Sequence, residues 1–580
     1  MDNSLCRSDI VIGRVGEESY PNMVQIISKL PIPLGTYVSI PFDAYDISTG
    51  DKKSHCVVGV ISVTSYRKIV PVTPTFIAST STNIGIDDEN LRYAPSRARI
   101  FADIINGNVE TPTVPPPPDT EIYLAPSHIL SKIFGSGKTS SIKLGHLIGR
   151  SDVEINVDIN ALSKHLFITG TTGSGKSNTV AIIADRIASI GGTVLIFDVH
   201  GEYGNLVPQT PDVDIQRVDY RFNPLKIPTR MLVRMMIPEA GATRQRALAA
   251  KAIDAAKKFV EEAIKNFGTG NELIEAVKSN KISELPIYSN YKQCFEEQKI
   301  FNDIDEDMTS ADDVLLELFK KVVSCFLTNK ISESNQRRGS QKNPSSEKES
   351  ALKALSKIEE FFDSISVSFS MPSIVEFLKP ASITVLNVSD LTDEQKDYSL
   401  KSVMDELLSY AKQMLARNSP HPILVFIEEA HLFLSSSRYT ISRSSIERVA
   451  REGRKFGLAL AIVSQRPRNI DPNTVSQVQN FVFMKLVQEA DQQAIMNISD
   501  MLTEDIAASL ASLGVGEAIV LGEWIGRFPA YVKIDKHSGK RAGATLDIAS
   551  IWSALKTRKD LYNRLAKESE DAYRDISNLI

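Results

Sequence analysis

Cysteine is scarce: Cys6, Cys56, Cys294 and Cys325 are the only four in 580 residues, widely separated and without a C-x-x-C pair. That spacing argues against a zinc ribbon and against a disulfide framework, and it suits a reducing cytoplasm. Long apolar runs are missing as well. No stretch offers the ~18 uncharged apolar residues of a membrane span, and Met1 to Ser8 is polar with no signal core, so a cytoplasmic chain without membrane attachment is expected. Nor does one sign of charge dominate. The 66 Lys and Arg against 71 Asp and Glu leave a net −5, which excludes a uniformly basic nucleic-acid-binding body. Any polyanion must meet positive charge gathered locally, as in a pore lining.

What is present is the balance of an ordinary globular protein, 42% hydrophobic and 24% charged. The length exceeds what one core serves, so at least two domains are expected. Residues 1–110 carry short apolar runs divided by turn residues (Ile10 to Gly13, Val24 to Ile27, Tyr37 to Ile40, Val57 to Val63, Ile100 to Ile105), the pattern of a small β-barrel or sandwich. Residues 111–140, with Pro115 to Pro118 in a row, predict a stiff connector. Residues 141–228 and 375–547 alternate short buried strands with helical stretches, the order of a parallel α/β sheet. Between them, 229–374 reads as a helical insertion with a polar, disordered loop at Glu333 to Ser350. The tail, 548–580, predicts one or two amphipathic helices.

The most specific motif is Gly170-Thr171-Thr172-Gly173-Ser174-Gly175-Lys176-Ser177, G-x-x-x-x-G-K-[ST] directly after a strand and before a helix. Glycines let such a loop turn its amides onto phosphate oxygens at the positive end of the helix it opens. Lys176 is expected at the β- and γ-phosphates of ATP and Ser177 on Mg²⁺. The bland alternative, a glycine-rich turn with a chance lysine, does not account for both flanks. An acidic partner is expected on a neighbouring strand, and Ile423 to Ile427 ends in Glu428-Glu429. Glu428 is read as holding the metal through water and Glu429 as orienting the attacking water; the alternative is a solvated acidic pair.

Further polar groups leave the same end of the predicted sheet. Thr193 to Phe197 runs into Asp198-Val199-His200-Gly201-Glu202-Tyr203, where Asp198 and Glu202 are candidates to support water or metal, and His200 is read as a hydrogen-bonding group rather than a ligand. Leu458 to Val463 runs into Ser464-Gln465-Arg466-Pro467, where Gln465 is either a γ-phosphate sensor or part of a plain turn. The helix Ser444 to Lys455 carries Arg448, Arg451, Arg454 and Lys455. One arginine there is a candidate finger for a neighbour's nucleotide, with a solvated face or a salt bridge between subunits as the alternative for any single one; Arg454 and Arg451 lead. Arg438 and Arg443 are either pore-lining or solvated, the second reading being preferred.

Taken in order, Lys164-His165-Leu166, Gly170 to Asn178, Asp198 to Tyr203, Ile427 to His431, Glu452 to Gly457 and Ser464 to Pro467 resemble the HerA family. The barrel opening Ile12-Gly13-Arg14-Val15 and the closing hairpin region Gly516 to Ile534 are similar to that family too. The resemblance implies a RecA-like P-loop core, a homohexameric ring with ATP and Mg²⁺ between subunits, and translocation of double-stranded DNA. By it, Gly170 to Asn178 form the nucleotide site, Ser177 and Glu428 serve the metal, and Lys176, Glu429, Asp198, Gln465 and, less directly, Arg454 serve catalysis. It also implies an effector partner: a NurA-type nuclease in DNA end processing, or a sirtuin-like protein or nuclease in anti-phage defence. No nuclease signature accompanies the motor. A secretion or conjugation ATPase and an ATP-dependent scaffold ring are the competing readings.

Overall fold

The computed structural model describes residues 3–45, 50–68, 92–135, 140–239, 241–297, 310–336, 344–526 and 528–539. The expected tail helices, 548–580, lie outside them.

The N-terminal strands β1 (Val11–Tyr20), β2 (Met23–Ser28), β3 (Tyr37–Tyr45), β4 (Lys52–Thr64), β5 (Arg67–Lys68), β6 (Arg92–Ile105), β7 (Asn108–Glu110) and β8 (Glu121–Leu124) pair in the order β2-β1-β8-β3-β4-β6. Pairing of β2 with β6 closes six of them into a barrel, so no edge among the six is left free for another chain. Val24, Ile26, Val38, Ile40, Val57 and Ile61 fill its interior. Residues 111–140 are more than the connector expected. The prolines interrupt the ladder, but the chain beyond them is free to pair, and β8 completes the barrel against β1 and β3. A short helix, Ser127–Phe134, then follows.

The second sheet comprises β9 (Ser141–Leu147), β10 (Arg150–Asp158), β11 (Leu166–Thr169), β12 (Thr193–Asp198), β13 (Asp214–Asp219), β14 (Ser382–Asn387), β15 (Ile423–Ile427), β16 (Leu458–Ser464), β17 (Asn480–Met484), β18 (Glu517–Gly522) and β19 (Ala530–Ile534). Its order is β10-β9-β19-β18-β17-β11-β16-β15-β12-β14-β13. The seven strands from β17 to β13 are all parallel, and β18, β19, β9 and β10 extend them antiparallel. β11, β12, β15, β16 and β17 are buried along their whole length. That is why they read as unbroken apolar runs rather than alternating ones.

Barrel and sheet share a contact: the Tyr37 hydroxyl donates to the Pro529 carbonyl and accepts from the Tyr531 amide, both at 3.0 Å. The insertion has its own core, built by helices including Thr243–Phe267, Ala311–Gln336 and Pro344–Asp363 around Phe259, Phe319 and Phe362. Of the segment expected as a disordered loop, Glu333 to Gln336 end the second of these helices and Pro344 to Ser350 begin the third, which buries Ala351, Ala354 and Ile358 beyond it, while residues 337–343 lie outside those described.

The cysteine expectation fails. Cys6 is bonded to Cys56, and Cys294 to Cys325. Distance along the chain is no bar once β4 runs back beside the N-terminal turn, and once the short helix Lys292–Glu297 packs on Ala311–Gln336.

Candidate nucleotide site at the carboxyl end of the sheet

Parallel strands deliver their carboxyl ends to one rim, and there the side chains expected of an ATP site meet. β11 ends at Thr169 and opens the phosphate loop; the helix Lys176–Ser189 follows at once. Two glycines are required by geometry. A Cβ on Gly170 would fall 2.7 Å from the Met484 Cβ, and Gly175 holds φ +111° with the Gly516 Cα 3.2 Å from where its Cβ would stand. The loop is pinned from the β17 and β18 side by Thr171 N–H to Lys485 O (2.9 Å) and Gly516 N–H to Ser174 O (2.8 Å). The first amides of the helix have no intrahelical partner, and Gly173 sits at φ +76° over open space, so the cradle can take a phosphate chain.

Lys176 is buried and donates to the Gly170 and Thr171 carbonyls at 2.9 and 3.0 Å. Burial pushes its amine below the usual lysine range, against the pull of Glu429, Glu428 and Glu202. A desolvated cation with only neutral hydrogen-bond partners is what a phosphate would relieve.

The acidic pair is brought in as expected, although not on an adjacent strand. β16 lies between β11 and β15, so the carboxylates stand one strand away and Gln465 enters the gap. Gln465 donates to Glu429 Oε1 and accepts from the Thr172 hydroxyl at 2.5 Å. Glu429 has left-handed backbone, φ 45° and ψ 44°, an uncommon state for a glutamate that clusters at functional sites. Its Oε2 is buried without a directed hydrogen bond, with His431 Nδ1 3.1 Å away. Burial works to raise the Glu429 carboxyl, but His431, Lys176 and His200 outweigh it and hold it below the ordinary glutamate range.

Glu428 differs from its neighbour. It accepts a hydrogen bond from the buried Tyr203 hydroxyl, and burial, with Glu202, Glu429 and Asp198 nearby, pushes it up to about 8. Ser177 donates to Glu202. No group of three or more metal-ligating side chains occurs among the described residues. Ser177 with Glu428 and Glu202 therefore fits a hard cation that keeps water and takes phosphate oxygen, not one caged by protein.

The other candidates have different partners. Asp198 accepts from the Glu202 and Tyr203 amides at 3.1 and 2.9 Å, so it shapes the turn that presents Glu202. Asn178 donates to the Asp535 carbonyl and accepts from the His537 amide, fastening the segment after β19. Arg454 is exposed in the turn Gly453–Phe456 that leads into β16, at the amino end of the strands and across the sheet from the phosphate loop. Arg448 pairs with Asp405, and Arg443 with Glu447 and Asp471, so neither is simply solvated. Sequence reasoning assigned no role to Tyr203 or His431; the signal was their position within two residues of the carboxylates at two strand ends.

The sequence profile of the HerA helicase central domain matches residues 142–407, and that of the HerA-like helicase C-terminal region matches residues 380–527. The DNA double-strand break repair helicase HerA of Sulfurisphaera tokodaii is 31% identical over 491 residues, 84% of each chain. A probable helicase of Methanocaldococcus jannaschii is 29% identical over 579 residues, 98% of each chain. Among solved structures, the plasmid coupling protein TrwB with a GTP analogue is 14% identical at a TM-score of 0.42, covering 73% of this chain and 95% of that one; the likeness is too slight to carry an argument.

Proposed function

Since the chain belongs to the HerA family of helicases and is an ATPase of the P-loop class, we propose that it forms a homohexameric ring that hydrolyses ATP with Mg²⁺ to drive double-stranded DNA through its centre, delivering the DNA to a separate nuclease or other effector. The carrying observation is the convergence of Lys176, Ser177, Glu428, Glu429 and Gln465 on one rim. Relatives that are DNA double-strand break repair helicases favour that repair as the setting.

In this reading the phosphate-loop amides and Lys176 bind the β- and γ-phosphates, Lys176 leaving the loop carbonyls to do so. Ser177, now hydrogen-bonded to Glu202, and Glu428 are the residues that would hold the metal. When bound, Mg²⁺ supplies charge neutralisation on the transferring phosphoryl group. Glu429, ionised and with Oε2 beside His431 Nδ1, accepts a hydrogen bond from the attacking water and orients it. Gln465 fixes the other oxygen of Glu429 and reports on the phosphate loop through Thr172. Arg454, remote from its own chain's site, serves the nucleotide of a neighbouring subunit.

Hydrolysis by purified protein with and without linear duplex DNA, beside Lys176→Ala and a mass determination of the assembly, tests this. A hexamer stimulated by DNA and silenced by the substitution is expected. A ring indifferent to DNA would favour the scaffold reading instead.

A further inference from the structure

With a net charge of −5, a chain that binds DNA must gather positive charge locally, and one such gathering lies away from the nucleotide site. A cleft of about 870 Å³ opens between the helical insertion and the outer helices of the sheet. Its charged lining is Arg230, Arg234, Arg246, Lys401 and Arg448 against one carboxylate, Asp405. Asp405 is already shared by Lys401 (3.0 Å) and Arg448. Arg246 is held in place by the Ile237, Pro238 and Glu239 carbonyls, each at 2.8 Å. Arg230 and Arg234 are exposed, one helical turn apart on Thr229–Met236, with no carboxylate partner among the described residues. Leu232, Val233, Met235 and Met236 of that helix are buried, so the arginines are presented by a fixed element. Guanidinium groups in this arrangement select phosphate oxygens.

We propose that this cleft binds the phosphodiester backbone of DNA, outside the nucleotide site, with Arg230 and Arg234 as its contacts; the inference rests on the DNA-translocase reading above. No aromatic side chain lines the cleft, so it offers no platform for stacked bases and is suited to backbone contacts that carry no sequence preference. One wall, Ser444, Ser445 and Arg448, belongs to the helix Arg443–Glu452. That helix is reached from Glu429 through the single stretch of chain carrying Tyr439, 81% exposed. DNA held in the cleft therefore bears on the segment that begins at the water-orienting carboxylate.

The test is duplex binding by the full chain across a salt series, for wild type, Arg230→Gln/Arg234→Gln, the charge-keeping Arg230→Lys/Arg234→Lys, and a control that removes two other exposed cations, Arg417→Gln/Lys379→Gln. Two lost phosphate contacts should flatten the slope of log affinity against log salt by about 1.8 and weaken binding on the order of 10- to 100-fold near ~0.1 M salt. The lysine variant and the control should keep the wild-type slope. Equal slopes for wild type and the glutamine variant, with wild type binding DNA, overturn the cleft assignment and leave the translocase reading standing. No binding by wild type at any salt contradicts that reading and removes this one with it. Inorganic tripolyphosphate binding wild type but not the glutamine variant, with the DNA slope unchanged, marks a free-oligophosphate site and likewise overturns the assignment.

Discussion

The side-chain amide of Gln465 joins Thr172 of the phosphate loop to Glu429 at the end of β15, accepting from one and donating to the other. A single flat group thus ties the phosphate loop to the carboxylate. Loss of Gln465 should leave nucleotide binding largely intact while misplacing Glu429. We expect Gln465→Ala to lower kcat about 10- to 100-fold and Glu429→Gln by ~10²- to 10⁴-fold, the usual span for a positioned acid–base group. Because the two act as a unit, the double variant should be little worse than Glu429→Gln alone. Steady-state hydrolysis with a separate nucleotide-binding titration checks this; additive losses would mean that Gln465 acts elsewhere.

Glu428 gives a pH signature. Its carboxyl is pushed up to about 8 by burial, above the value it has unfolded. A raised folded value means that its stabilising contribution is fully present below the ordinary carboxyl pKa and is lost as pH rises towards about 8. Glu428→Gln mimics the protonated form at every pH. The variant should gain on wild type by up to ~1.4 kcal/mol per pH unit through that window and then level off. Urea unfolding in metal-free buffer at ~pH 5, 7 and 8.5 measures it; a constant difference would show that Glu428 is ionised throughout.

Arg454 and Lys176 lie at opposite ends of the same sheet, so an Arg454 that serves catalysis does so across a subunit boundary. Arg454→Ala and Lys176→Ala should each lose hydrolysis, by on the order of 10²-fold or more. Rings mixed from the two should regain a fraction of it, because some interfaces then pair an intact phosphate loop with an intact arginine. Mixed rings as inactive as either parent would remove Arg454 from the catalytic set.

The two disulfides close segments of 50 and 31 residues. Chain-entropy reasoning gives each about 4 kcal/mol of stabilisation. Thiol titration of protein denatured without reductant should find no free cysteine, and reductant should lower the melting temperature. Four free thiols in the untreated protein would contradict the pairing.

Much of this architecture is legible in the sequence because β11, β12, β15 and β16 are buried on both faces and so appear as apolar runs that end in polar groups. The phosphate loop is legible because its glycines answer local geometry. Strand order is not local, and nothing in Ile423 to Glu429 announces that β16 stands between it and the phosphate loop. The same holds for the disulfides and for β8, whose pairing is decided by how distant segments come to lie side by side. Tyr203 reads as one more residue of a strand-end turn until the fold places its hydroxyl on Glu428.

The most direct test of the central claim is displacement of a third strand from a DNA triplex, since a motor travelling along duplex DNA must strip it off. With ATP and Mg²⁺, wild-type protein should release the third strand at a rate that follows hydrolysis, and Lys176→Ala should release none. Robust hydrolysis with the triplex left intact would contradict the account.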